Sequence, residues 1–150
     1  MKHNAALRAI ILNATSRAEW PAAEYNRPVA VGVHLVSQKV CTEKPVAAVT
    51  PRVMHQDGET YGYVHLVERH NVDAGWNVVA SNDAIGLDPA SVPREMTLQR
   101  FCLERPLQGF GLRDADVSHG VEPVSLSEGC TSGYRNTILI DLTPMREAPR

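Results

Sequence analysis

The stretch VAAVTPRVMHQDGETYGYVHLVER, Val46–Arg69, decides the fold of this chain when the sequence is read alone. At its centre stands Gln56-Asp57-Gly58-Glu59, and an Asp-Gly pair tolerates the positive φ angles of a tight turn. Both flanks are rich in strand formers, so the reading is a β-hairpin with arms Val46–His55 and Thr60–Arg69. The chain before it continues the theme. Val29, Val31, Val33 and Leu35 alternate with Ala30, Gly32, His34 and Val36, predicting a strand over Val29–Val40 with both faces largely buried. Thr42-Glu43-Lys44-Pro45 reads as the turn between the two.

Working outward, Ala5–Ala18 reads as a helix, because Leu7, Ile10, Ile11, Ala14 and Ala18 recur at three- and four-residue steps. Asn4 is its expected N-cap, and Trp20-Pro21 ends it. On the other side, Asn71–Gly75 reads as a turn and Trp76–Ala80 as a short strand. Ser81–Pro93 reads as a loop, and Arg94–Arg105 fits a helix stripe as well as a strand. Gly109, Gly111 and Gly120 punctuate a long irregular stretch. Val121–Leu126 and Thr137–Leu142 read as the last strands. The sum is an antiparallel, β-rich α+β fold with an N-terminal helix and room for one further helix. A parallel sheet is disfavoured, since regular strand–helix alternation is absent.

The 150 residues suit a single domain, with a helix over about 5–18, a β-rich body over about 28–142 and a short tail over 143–150. Apolar residues make up 43% and charged residues 21%, ordinary values for a soluble globular protein. The formal charge of −2 argues against non-specific nucleic-acid binding, which needs an excess of cations to neutralise phosphates. No apolar run is long enough to cross a membrane, and the N-terminus does not form a recognisable signal peptide. Cys41, Cys102 and Cys130 are widely spaced and contain no CxxC pair, which suits a reducing compartment or a particle assembled inside a cell and predicts three free thiols.

Several residues are candidates for chemistry. His55, His65 and His70 lie on or beside the hairpin, and His34 lies on the preceding strand. His65 and His70, with Glu68 or Asp73 nearby, could form a metal or acid–base site. Their five-residue separation puts the two histidines on opposite faces of a continuous strand, so the plainer reading is surface histidines. Cys130, within Ser127-Glu128-Gly129-Cys130-Thr131-Ser132-Gly133, is a candidate nucleophile, although the small residues around it more simply make a loop. Asp114, Asp116 and Glu122 could hold Mg²⁺ only if they converge. Gly109-Phe110-Gly111 lacks the remaining elements of a phosphate-binding loop.

No complete catalytic constellation emerges, and no cofactor is expected. The expectation is therefore a non-enzymatic structural or assembly subunit, fitting a phage or virus particle, in the virion or the cytoplasm. Its partners would be copies of itself or other protein subunits. The alternatives are a small hydrolase or metalloenzyme using histidines of the 46–70 hairpin, and a ligand-binding or regulatory module.

Overall fold

The computed structural model describes residues 4–145. Its helix α1 spans Ala5–Arg17 and begins as expected, with the Asn4 side chain accepting a hydrogen bond from the Leu7 amide at 3.0 Å. Ten strands follow. They are β1 (Val29–Cys41), β2 (Val46–Ala47), β3 (Tyr61–His70), β4 (Val72–Ala74), β5 (Asn77–Ala80), β6 (Thr97–Phe101), β7 (Gly109–Arg113), β8 (Ser118–Val121), β9 (Val124–Leu126) and β10 (Ser132–Pro144). All pair antiparallel, forming a main sheet in the order β1-β10-β3-β7 and two smaller sheets, β2-β9-β4 and β6-β5-β8. The β-rich, antiparallel α+β reading with one N-terminal helix holds. No helix of the described residues is long and apolar enough to cross a membrane.

The strongest apolar run in the sequence lies in β10, which occupies the middle of the main sheet. Side chains alternate across a strand. Ile140 and Leu142 therefore face α1, where they pack with Tyr61, Tyr63 and Ala14, while Leu7, Ile10 and Ile11 close the layer. Each large side chain fully buried there contributes roughly 1.5–3 kcal/mol. Ala14 is completely covered. Replacing Ala14 with Asp would strand a charge against those residues, and urea unfolding should show a loss of about 3 kcal/mol or more. The opposite face of β10 carries Arg135, Thr137, Leu139 and Asp141, which look into a cavity shared with β5 and β8.

Four local expectations need correction, and the open reading of Arg94–Arg105 is decided. The hairpin does not form: its second arm exists as β3, but β3 pairs with β10 and β7 rather than with residues 46–55. Of the first arm only β2 and an isolated bridge from His55 to His119 remain. The reason is a competing acceptor. The Asp57 and Gly58 amides donate to the carboxylate of Asp114 at 3.1 and 2.8 Å, so the Asp-Gly turn is anchored to a distant loop. Gly58 does take the positive φ expected of it, +81°.

The predicted turn over Asn71–Gly75 contains β4. It is entered and left through left-handed backbone at Asn71, Ala74 and Gly75. Arg94–Arg105 holds strand β6, and no second α-helix occurs among the described residues. The glycine-punctuated stretch holds β7 and β8; at Gly111 any side chain would collide with the ring of Tyr63. Lastly, β1 is an edge strand with Leu35 76% exposed, so it is not buried on both faces. Of the tail expected over 143–150, Thr143 and Pro144 instead pair with β1 as the end of β10, and residues 146–150 lie outside the described residues.

Candidate metal centre and its cavity

Two backbone features build the site. His55 and His119 exchange reciprocal backbone hydrogen bonds, N–H to O at 2.9 Å each way, which sets their rings 4.5 Å apart. Two residues after His55, the chain turns at Asp57-Gly58 under the grip of Asp114. The Gln56 side chain reinforces the turn by donating to the Asp114 carbonyl at 2.8 Å. Asp57 is thereby placed between the two imidazoles. Its Oδ1 lies 3.3 Å from His55 Nε2 and its Oδ2 3.4 Å from His119 Nε2.

The His55 ring is oriented by Nδ1, which lies 2.8 Å from the Val53 carbonyl; as the donor there, it leaves the Nε2 lone pair facing Asp57. Such an outer partner is what fixes tautomer and direction in a metal-binding histidine. The imidazoles of His119 first, then of His55, hold the Asp57 carboxyl far below the usual carboxylate range, against the opposing effect of burial. Reciprocally, the Asp57 contact raises the His55 imidazole pKa, again against burial.

His55, Asp57 and His119 each present one ligand atom, all within 4.8 Å of one another, the one such group found among the described residues. Nε2 of His119 is buried and makes no well-formed hydrogen bond, although carboxylate oxygens of Asp57 and Asp114 lie 3.4 and 3.3 Å away. A buried polar atom left unpaired costs about 1–3 kcal/mol. A divalent cation ligated by the three atoms would relieve that cost. Two histidines and one carboxylate on one side of a metal, with the other positions open, are the ligand set of non-haem Fe(II) oxygenases. The residues fit such an ion.

The triad faces a cavity of about 140 Å³. At its edge on β10 sits Arg135, only 2% exposed. Its guanidinium donates to Gln38 Oε1 at 3.0 Å and to Asn77 Oδ1 at 3.4 Å, while Nε has no partner. Burial is the first cause that brings its pKa down to about 10. No carboxylate of the described residues pairs with it, although Arg69 lies near enough to repel it.

Asp114 touches both the turn and His119, whose Nε2 is 3.3 Å from Asp114 Oδ1. Replacing it with Ala would remove no ligand of the triad but would free the Asp57 and Gly58 amides. Metal affinity, measured by competition with a chromophoric chelator, should fall about 10–100-fold.

Of the candidates read from sequence, His55 and Asp114 reach this site, Asp114 as a support of the turn and of His119. His65 shares the helix-facing side of β3 with Tyr61 and Tyr63. It is half-buried, and desolvation first, then Arg17, lowers its pKa. His70 stacks on Tyr134 at 5.8 Å, and Glu68 lies across from Asn136 on β10. Asp73 accepts a hydrogen bond from the Ser127 hydroxyl, and Cys130 sits in the turn between β9 and β10. Asp114, Asp116 and Glu122 do not converge: Asp116 pairs with Arg113 and Glu122 with Arg100. His34 pairs with Asp141 at 2.8 Å. All three cysteines are free.

Sequence reasoning missed His119, Arg135 and the role of Asp57. The signal available was His55-Gln56-Asp57, a His-x-Asp spacing followed far downstream by a histidine.

Solved structures of known proteins share this architecture. IDO from Bacillus thuringiensis matches at 22% identity over 93% of this chain and 57% of its own, with a TM-score of 0.75. The Fe(II)/α-ketoglutarate-dependent dioxygenase TqaL matches at 11% identity over 94% of this chain and 54% of its own, with a TM-score of 0.71. A bsmA homolog from Methylobium petroleophilum PM1 matches at 24% identity over 80% of this chain and 43% of its own, with a TM-score of 0.60. At these identities the likeness is one of fold, and the chain spans about half the length of these structures. No curated protein sequence matches the chain.

A family model described as 2OG-Fe dioxygenase matches residues 1–141. This overturns the expectation of a structural or assembly subunit of a phage or virus particle, and leaves the virion location without support. The metalloenzyme alternative, resting on histidines of the 46–70 region, is the better supported reading. Matched by that model along nearly its whole length, the chain belongs to the 2OG-Fe dioxygenase family.

Proposed function

We propose that this chain carries the active site of an iron(II)- and 2-oxoglutarate-dependent oxygenase. In this reading His55, Asp57 and His119 hold the iron, and Arg135 receives the remote carboxylate of 2-oxoglutarate. The observation that carries the reading is one cavity exposing both an incomplete ligand set and a buried guanidinium without a carboxylate. When bound, the iron supplies a redox-active centre at which dioxygen and the 2-oxo acid react.

The residues of the chain do the rest. Asp57 and the two imidazoles would hold the metal at the wall of the cavity. Arg135 offers a planar fork that matches a carboxylate with two parallel hydrogen bonds. Gln38 and Asn77 hold that fork in place before the co-substrate arrives, which lowers the ordering cost of binding. Val64, Phe110 and Leu112 line the cavity with apolar surface and limit the water that reaches the reacting atoms.

The overall reaction consumes one O2 and one 2-oxoglutarate. It releases succinate and CO2 and places one oxygen atom in the oxidised molecule. Succinate formation is therefore the assay. Protein stripped with EDTA and reloaded with Fe(II) should convert 2-oxoglutarate to succinate when O2 is supplied, and should stop doing so when Fe(II) is replaced by Zn(II). Iron-independent succinate formation, or none under any loading or with any oxidisable compound tried, would refute the proposal.

A further inference from the structure

Asp141 stands on the same face of β10 as Arg135 and looks into the same cavity. Six positions separate them, roughly 20 Å along an extended strand. The two charged groups have different surroundings. Across β3, Asp141 faces Gly62, five residues after Asp57, whereas Arg135 faces Arg69 at the other end of the pairing.

Space has been cleared around the carboxylate. In the antiparallel register Asp141 lies between Gly32 of β1 and Gly62 of β3, so neither neighbouring strand presents a side chain beside it. At Gly32 a Cβ would crowd Asp141 Oδ2 at 3.2 Å. At Gly62, which lines the cavity, a Cβ would meet nothing nearer than Leu112 Cδ1 at 3.7 Å, so the hollow on that side is open. The Asp141 side chain is only 13% exposed, yet its sole ion-pair partner among the described residues is His34, an edge-strand histidine that is 60% exposed.

We propose that the hollow beside Asp141 and Gly62 is a recognition site for a positively charged group, an ammonium or guanidinium, on the molecule that is oxidised. The proposal rests on the oxygenase reading. The cavity is then polarised: its arginine end takes the anionic co-substrate and its aspartate end takes a cationic substrate group close to the metal. Burial first, then Asp57 and Glu59, raises the Asp141 pKa against the pull of His34, so the carboxylate is under-compensated. A cation there completes its pairing. His34 is a replaceable partner because its exposed ring can turn to solvent when a ligand cation enters.

The test uses n-hexylammonium, 1-hexanol and hexanoate, equal in chain length and different in charge. Their binding to the Zn(II)-loaded protein, with 2-oxoglutarate held at saturation so that Arg135 and the metal are already occupied, is followed by ligand-observed NMR. We expect hexylammonium to bind at least about tenfold more tightly than hexanol, with hexanoate weakest, because a charge-assisted contact forms only with the cation. Asp141→Asn keeps the shape and an acceptor for His34 but should erase the preference. Gly62→Ala, which the fold has room for, should weaken the amine by narrowing the hollow. Equal binding of amine and alcohol, a preference for hexanoate, or a preference that survives Asp141→Asn would overturn the proposal. This readout is independent of turnover. An amine preference in a protein that makes no succinate would keep the site and defeat the oxygenase reading. Succinate formation without the preference would do the reverse.

Discussion

His119→Ala should leave a folded protein that no longer retains Fe(II). The hydrogen bonds that bring His119 to His55 run backbone to backbone, so truncating the side chain leaves the bridge in place. What disappears is the buried Nε2 with its contacts to the Asp57 and Asp114 carboxylates. Losing those contacts should lower the melting temperature of the metal-free protein without unfolding it, since Asp57 keeps His55 and Asp114 keeps the Asp57 and Gly58 amides. Metal affinity should fall further than the ~10–100-fold expected when only a supporting outer residue is lost. Succinate formation should drop below detection. Metal analysis after gel filtration, beside thermal melts of the stripped proteins, checks both halves. A variant that melts with the parent and still carries one iron per chain would remove His119 from the ligand set.

Arg135→Met should separate co-substrate binding from stability. The guanidinium is buried, and exchange of a buried charge for an apolar side chain of similar volume is often neutral or better. Here the Gln38 and Asn77 side-chain oxygens would each lose a donor, which offsets part of that gain. The net change in unfolding free energy should stay within about 2 kcal/mol. Binding of 2-oxoglutarate has no such compensation. Loss of one partner of a desolvated charge pair costs about 2–5 kcal/mol, so the KM for 2-oxoglutarate should rise at least ~30-fold. Arg135→Lys keeps the charge without the planar fork and should fall between parent and Met variant. A Met variant with an unchanged KM would show that the anion binds elsewhere.

Local signals carried much of the fold. The 3.6-residue recurrence of Leu7, Ile10, Ile11 and Ala14, with Asn4 before it, predicts α1 to within a residue at its end. The Val-rich run of β1 and the Thr137–Leu142 run inside β10 are legible for the same reason: the decisive residues are adjacent in sequence. Pairing was not legible. Asp57-Gly58 has the chemistry of a hairpin turn, but Asp114, 57 positions from Asp57, captures the amides, and no short-range rule shows it. Strands β7 and β8 are masked by Gly109, Gly111 and Gly120, whose small size answers close packing against neighbours rather than turn geometry.

The metal site was half visible. His55-Gln56-Asp57 is contiguous, and its spacing puts both side chains at the start of a tight turn. His119 and Arg135 join it only through the β8 bridge and the position of β10. His65 and His70 stand out in the sequence because they lie on or beside the second arm of the expected hairpin. Side-chain alternation along β3 directs His65 towards the helix, away from the cavity that β10 and β3 line on their other face.

Anaerobic titration of the Fe(II)-loaded protein with 2-oxoglutarate, read by visible absorption, tests the central claim most directly, because it needs neither turnover nor knowledge of the oxidised substrate. Joint binding of the 2-oxo acid to iron held by His55, Asp57 and His119, with its far carboxylate on Arg135, predicts a saturable charge-transfer band at one equivalent. That band should be lost in His119→Ala and shifted to much higher 2-oxoglutarate concentration in Arg135→Met. A parent protein that binds Fe(II) but develops no band at saturating 2-oxoglutarate, or a band unchanged in either variant, would contradict the account.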